Sequence, residues 1–143
     1  MTSVYIPREI QTAVVRRAIS RCEYCLSDER LVGIPFEIEH ILPRSRSGET
    51  VLDNLALACS RCNRHKSNRI QLTDPLDQKA VPLFHPRQQK WGDHFAWSDD
   101  GMLITGLTDI GRATVEALQM NHPLIIEARR NWIILELHPP SID

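Results

Sequence analysis

Two Cys-x-x-Cys motifs constrain the fold of this chain more than any other feature. The first spans Cys22–Cys25 and the second spans Cys59–Cys62. Each motif can curl around one side of a metal ion, and four thiolates complete the tetrahedral shell that zinc prefers. Such a shell has no open position for chemistry, so we predict a structural zinc ion. Its predicted ligands are Cys22, Cys25, Cys59 and Cys62.

Two disulfide bonds, a redox pair and four unrelated thiols are the alternatives for four cysteines. The N-terminus lacks the apolar core of a secretory signal, and no apolar run approaches the roughly 18 to 20 residues needed to cross a bilayer. We therefore expect a cytoplasmic protein, in which thiols stay reduced. Zinc is the favoured interpretation, because a doubled motif arises by chance far less often than a single one.

The overall charge gives no indication of nucleic-acid binding, but the local charge does. The chain has 143 residues, 42% of them hydrophobic, and a formal net charge of -1. This length suits one compact domain with appendages. Between residues 40 and 70, however, basic side chains outnumber the acidic ones, Glu49 and Asp53. The basic residues of this segment are Arg44, Arg46, Arg61, Arg64, Lys66 and Arg69.

Hydrophobic spacing and turn residues divide the chain into three predicted parts. Residues 1–72 form a core that begins with a helix leading to the first cysteine pair. Residues 73–90 contain several prolines and are predicted to be a linking arm. Residues 91–143 form a C-terminal extension packed on the core, with a β-hairpin around the turn at 98–101 and two helices.

The segment between the cysteine pairs contains a second ordered set of residues. Glu39-His40 precedes a proline-bearing loop, Asn54 follows this loop, and Asn63 comes directly after the last cysteine. Over roughly residues 20–70 the sequence resembles the HNH endonuclease family. The resemblance implies an α+β fold with a ββα-metal core, also called a His-Me finger, with zinc knuckles. The C-terminal hairpin and two helices would be added to this core.

The resemblance also implies a role for each of these residues. Phosphodiester hydrolysis needs a nucleophile made from water, neutralisation of phosphoryl charge and assistance to the departing 3′-oxygen. His40 would be the general base, because an ordinary pKa of about 6.5 leaves it largely neutral. Glu39 and Asn63 would hold a catalytic Mg²⁺ or Mn²⁺ through oxygen atoms. Asn54 would orient the loop by hydrogen bonds to backbone on both sides.

Strand geometry and charge add two expectations about the site. Adjacent side chains point to opposite faces of a regular strand, so the strand should end at Glu39 and His40. The six basic residues should contact phosphates of DNA, with RNA not excluded and without reading of bases. Residues 91–143 offer a surface for a partner protein or for a second copy of the chain.

The sequence therefore predicts a metal-dependent HNH endonuclease that hydrolyses phosphodiester bonds of DNA with little sequence specificity. The alternative is a catalytically inactive, zinc-stabilised module that binds nucleic acid or protein. Both hypotheses use the cysteines and the basic residues. Only the order of Glu39, His40 and Asn63 favours the enzyme, because a binding module has no need for these three residues.

Overall fold

The fold is α+β, as the sequence predicts. The computed structural model describes residues 5–141 and contains short helices and three two-stranded antiparallel sheets, which pair β1 with β2, β3 with β4 and β5 with β6. The helices are α1 (Arg8–Arg17), α2 (Glu29–Val32), α3 (Ser60–Lys66), α4 (Trp91–His94), α5 (Asp109–Ala117) and α6 (Pro123–Ile134). The strands are β1 (Glu37–His40), β2 (Leu55–Ala58), β3 (Gln71–Thr73), β4 (Ala80–Pro82), β5 (Phe95–Trp97) and β6 (Ile104–Gly106). Within residues 5–141, no helix combines the length and apolarity needed to span a membrane.

Helix α1 covers the first sheet. Its Val14 is fully buried against Leu55 and Leu57 of β2. Arg17 donates hydrogen bonds to the carbonyl oxygens of Leu52, at 2.9 Å, and Leu55, at 2.5 Å. The helix therefore anchors the chain where it enters β2.

Strands β1 and β2 are followed at once by α3. The register pairs His40, the last residue of β1, with Leu55, the first residue of β2. All four residues of β2 are buried. Cys59 then caps α3, because its Sγ accepts a hydrogen bond from the backbone N–H of Cys62 at 3.4 Å. Two antiparallel strands and a helix thus form one continuous unit.

Residues 73–90, predicted to be a linking arm, are more ordered than the sequence indicates. Strand β4 pairs with β3, which brings Val81 opposite Leu72. Both residues, together with Leu83 and Phe84, are buried in the same core cluster as the four cysteines. Each of these strands has only three residues, which is too short for an alternating pattern to be recognised in the sequence.

The C-terminal part of the chain packs against this core through aromatic residues. The ring of Phe95 lies 5.0 Å from that of Phe84 in the core and 5.2 Å from that of Trp91. The indole N–H of Trp91 also donates to the carbonyl oxygen of Tyr24, at 2.8 Å. Residues of the first cysteine motif are therefore held directly by the C-terminal part.

A close backbone approach shapes the loop between β1 and β2. A methyl group at Gly48 would lie 1.7 Å from the carbonyl oxygen of Leu42 and 3.0 Å from Nδ2 of Asn54. The backbone N–H of Gly48 also donates to the carbonyl oxygen of Pro43, at 2.9 Å. The loop therefore folds back on itself just after His40, and only glycine fits at the contact.

We expect Gly48→Ala to destabilise the protein by about 3 kcal/mol, because the Leu42 carbonyl must move to admit a methyl group. Gly33→Ala is the matched control. Gly33 has a φ of +82°, but a methyl group there would meet nothing within 4 Å, so this change should cost only about 1 to 2 kcal/mol of backbone strain. Urea denaturation measures both values. Equal stability of the two variants would contradict the close approach.

Candidate active site

The four cysteines lie together in the interior. Their Sγ atoms are all within 4.8 Å of one another, and those of Cys25 and Cys59 are 3.7 Å apart. A tetrahedral zinc ion with bonds of about 2.3 Å would separate its sulfur ligands by about 3.8 Å. The N–H of Cys25 donates to the sulfur of Cys22 at 3.5 Å, which matches the contact in the second motif. All four are free cysteines, and this group can hold a zinc ion.

Protons and a metal ion would compete for the sulfur atoms of the cysteine group. Burial raises the pKa of Cys22 well above its ordinary value, and hydrogen bonds with the neighbouring thiols, Cys22 first, raise the pKa of Cys62. Hydrogen bonds from the same thiols lower the pKa of Cys25. Zinc binds thiolates, so an ion at this place would release the protons that the group retains without it.

Arg129 of α6 brings a positive charge toward the cysteines. Its side chain is fully buried and donates to the carbonyl oxygens of Met102, at 2.8 Å, and Met120, at 2.6 Å. Among the described residues no carboxylate pairs with it. Burial lowers the pKa of Arg129, and negative charge on Cys25 is the first influence that opposes this shift. The C-terminal helix thus places a cation where a thiolate cluster would be negatively charged.

Glu39 is buried, and each of its carboxylate oxygens has one partner. The hydroxyl of Tyr24 donates to Oε1 of Glu39 at 2.5 Å, and the ammonium of Lys66 lies 3.0 Å from Oε2. Lys66 also donates to the backbone carbonyl of His40 at 3.1 Å. Burial raises the pKa of Glu39, and the charge of Lys66 opposes this shift. The carboxylate is therefore fixed between the first cysteine motif and α3.

His40 ends β1 beside an open cleft. A cavity of about 490 Å³ is lined by Glu39, His40, Arg44 and Asn63, among others. The Nε2 atom of His40 lies 2.8 Å from the hydroxyl oxygen of Thr50. Burial lowers the pKa of His40, and the charges of Arg44 and Lys66 lower it further. Three of the predicted catalytic residues thus share one cleft, in which burial and the neighbouring positive charges favour the neutral form of His40.

Asn63 connects the cleft to a residue that the sequence interpretation did not include. The Nδ2 group of Asn63 donates a hydrogen bond to Oε2 of Glu37. Oε1 of Glu37 in turn accepts from the hydroxyl of Ser60, at 3.5 Å. Glu37 lies two residues before Glu39, and this spacing in a strand indicates the same face. The two-residue spacing of Glu37 and Glu39 is the sequence feature that could have identified Glu37 as a site residue.

Asn54 lies in the loop and not in the cleft. Its Oδ1 accepts from the backbone N–H of Leu42 at 2.8 Å, and its Nδ2 donates to the carbonyl oxygens of Leu42, at 3.0 Å, and Glu49, at 2.9 Å. The carbonyl of Asn54 also accepts from the backbone N–H of Ile41 at 2.9 Å. Asn54 therefore holds both sides of the loop immediately after His40.

The predicted phosphate contacts divide into two groups. Arg44, Arg46, Arg64 and Arg69 are exposed and Arg61 is half-buried, so their guanidinium groups can reach a ligand. Lys66 is different, because its side chain is only 1% exposed and is occupied by Glu39. The prediction of a phosphate contact is therefore wrong for Lys66. Its position four residues after Cys62 places both on the inner face of α3.

The fold combines short antiparallel strands and helices with a group of four cysteines, and this combination is consistent with the family comparison. Residues 22–69 match the family model described as HNH endonuclease. This match confirms the predicted resemblance over the segment and indicates a nuclease or other nucleic-acid-related function. Comparisons with curated proteins and with solved structures give no significant match.

We expect the purified protein to contain one zinc ion per chain by elemental analysis, and Cys59→Ser to lose it. Zinc binding in such sites contributes about 10 to 16 kcal/mol of apparent folding free energy, so this variant should also lose its cooperative thermal transition. Ser45→Ala, a change at an exposed loop residue, is the control and should keep both. Wild-type protein that folds fully without zinc would contradict the structural role.

We expect Lys66→Met to lower the free energy of unfolding by about 3 to 5 kcal/mol, because it leaves the buried Glu39 carboxylate without its cation. Arg64→Met changes an exposed residue of the same helix and should stay within about 0.5 kcal/mol. Adding Glu39→Gln to Lys66→Met should recover much of the loss, since no unpaired buried charge then remains at this position. Chemical denaturation of the four proteins measures these differences, and an unchanged Lys66→Met stability would refute the role of the ion pair.

Proposed function

We propose that this protein is a divalent-metal-dependent HNH endonuclease that hydrolyses phosphodiester bonds of DNA with little sequence specificity. The observation that carries this proposal is the common cleft of Glu39, His40 and Asn63 inside a segment that matches the HNH family. Strands β1 and β2 with α3 would then be the ββα-metal core. The four cysteines would hold a structural zinc ion beside it.

His40 is the proposed general base. If its Nε2–H donates to Thr50, the lone pair of Nδ1 is free to accept a proton from water. The water oxygen then forms a bond to phosphorus, the bond from phosphorus to the 3′-oxygen breaks, and His40 holds the proton taken from water. The departing 3′-oxygen takes a proton from solvent. The products carry 5′-phosphate and 3′-hydroxyl ends. The loop contacts of Asn54 support this geometry by holding the residues that follow His40.

Glu39 and Asn63 are the proposed ligands of a catalytic Mg²⁺ or Mn²⁺. Both residues line the cleft, and a carboxylate with an amide oxygen suits these hard ions. Such an ion would neutralise phosphoryl charge and stabilise the leaving oxygen. Each oxygen of Glu39 already accepts one hydrogen bond and keeps capacity for another partner.

The accessible arginines around the cleft support binding of a polyanion. We propose that Arg44, Arg46, Arg61, Arg64 and Arg69 contact phosphates of DNA, while RNA is a second substrate to test. None of these five takes part in an ion pair among the described residues, so their charges are available. Phosphate contacts of this kind make binding strongly dependent on salt.

The C-terminal part is the proposed site of any protein partner or second copy of the chain. In this proposal, residues 1–72 form the core, residues 73–90 link the two parts, and residues 91–143 form an extension packed on the core. On and after α6, Leu124, Ile134 and Leu135 are 71%, 73% and 64% exposed. Apolar side chains with this exposure support an interface there. We also propose a cytoplasmic location, where the four thiols would stay reduced.

Cleavage of a supercoiled plasmid tests the proposed activity. With Mg²⁺ or Mn²⁺ we expect nicked product, none with EDTA, and a rate about 10² to 10⁴ times lower for His40→Ala. Because the pKa of His40 lies below its usual value near 6.5, the rate should rise with pH through that lower pKa and stay level above it. His65→Ala, on α3, is the matched control.

Two results would overturn this mechanism. One is plasmid that stays supercoiled with every metal between about pH 6 and 9, and the other is a His40→Ala variant as active as wild type. If the plasmid stays intact but is bound in a salt-dependent manner, the alternative of a zinc-stabilised binding module is correct.

A further inference from the structure

Glu37 lies near the cleft and has no part in the proposed chemistry. It is exposed, begins β1 and pairs in register with Ala58, the residue before Cys59. Its side chain therefore points from the sheet to the same face as Glu39, where α3 lies. No cation of the described residues forms an ion pair with it. Its contacts are with Asn63 and Ser60 of α3.

The contact with Asn63 fixes which end of the amide faces the cleft. An asparagine side chain has a donor end and an acceptor end, which differ little in shape. The donor, Nδ2, is bound to Glu37, which does not line the cleft, whereas Asn63 does. The acceptor, Oδ1, is consequently left for the cleft. The hydroxyl of Ser60 holds the Glu37 carboxylate from its other oxygen, at 3.5 Å.

We propose that Glu37 is a positioning residue that holds the Asn63 amide with Oδ1 toward the cleft, where this oxygen is available to a divalent cation. The inference rests on the proposed function, which makes Asn63 a ligand. Without Glu37 the amide can turn over and present N–H groups to the cleft. An N–H group repels a cation, so the site loses an oxygen ligand even though Asn63 is still present.

Replacement of Asn63 by aspartate gives a test in which orientation no longer matters. A carboxylate offers an oxygen at either end, and it would also be repelled by the charge of Glu37. Removal of Glu37 should therefore weaken cation binding in the wild-type background. In the Asn63→Asp background the same removal should leave binding unchanged or improve it. A residue that only supported the fold would weaken both.

The probe is Mn²⁺, and its free concentration is followed by electron paramagnetic resonance during titration of the zinc-loaded full chain. We expect Glu37→Ala to weaken Mn²⁺ binding about tenfold, a change of about 1.4 kcal/mol. Glu37→Gln retains an acceptor for the amide and should bind more tightly than Glu37→Ala. Glu116→Ala removes an exposed carboxylate on α5 and should bind as wild type does.

Each result decides one of the two proposals. If wild type and Glu37→Ala bind Mn²⁺ equally, or if Glu37→Ala weakens Asn63→Asp as much as it weakens wild type, the positioning role is wrong and the proposed nuclease stands. If wild type binds no Mn²⁺ at millimolar concentration, the proposed metal site fails and the positioning role fails with it. Zinc content and thermal unfolding of every variant identify any that have not folded.

Discussion

The packing of four sulfur atoms within 4.8 Å joins two parts of the chain that are distant in sequence, and the candidate active site is built on this contact. The first cysteine motif carries Tyr24, whose hydroxyl reaches Glu39. The second motif begins α3, which carries Asn63 and Lys66 against β1. Strands β1 and β2 alone would supply His40 and Glu39, but not Tyr24 and Lys66, which contact them. The capacity to hold a zinc ion and the geometry of the cleft therefore depend on the same arrangement.

The Glu39 carboxylate has to satisfy two opposing requirements. A buried charge needs compensation, which Lys66 and Tyr24 supply. The same compensation reduces the attraction of the carboxylate for a second cation. Under the proposed function, a phosphate entering the cleft would add negative charge and oxygen ligands. Binding of the ion and binding of the nucleic acid would then strengthen each other.

The sequence predicts those features that depend on residue type at fixed spacing. The two cysteine motifs, the α+β class and the HNH resemblance follow from such spacing and are confirmed as far as the fold class, the cysteine group and the family match. The sequence wrongly places Lys66 among the phosphate contacts, because a basic residue in a polar segment is expected to be solvent-exposed until its partner is known. That partner, Glu39, lies far away in the sequence and meets Lys66 only through the packing of α3 on β1. Strands β3 and β4 were missed because pairing, not composition, defines them.

The hydrogen bond from Trp91 to the carbonyl of Tyr24 reaches beyond the segment that matches the family. Tyr24 in turn touches Glu39, so only two side-chain contacts separate the start of the C-terminal part from the cleft. Arg129, also in the C-terminal part, lies close enough to the cysteines for negative charge on Cys25 to raise its pKa. Residues outside the matched segment thus contact its interior. Substitutions in the C-terminal part would therefore act on residues that support the cleft while leaving every motif residue unchanged.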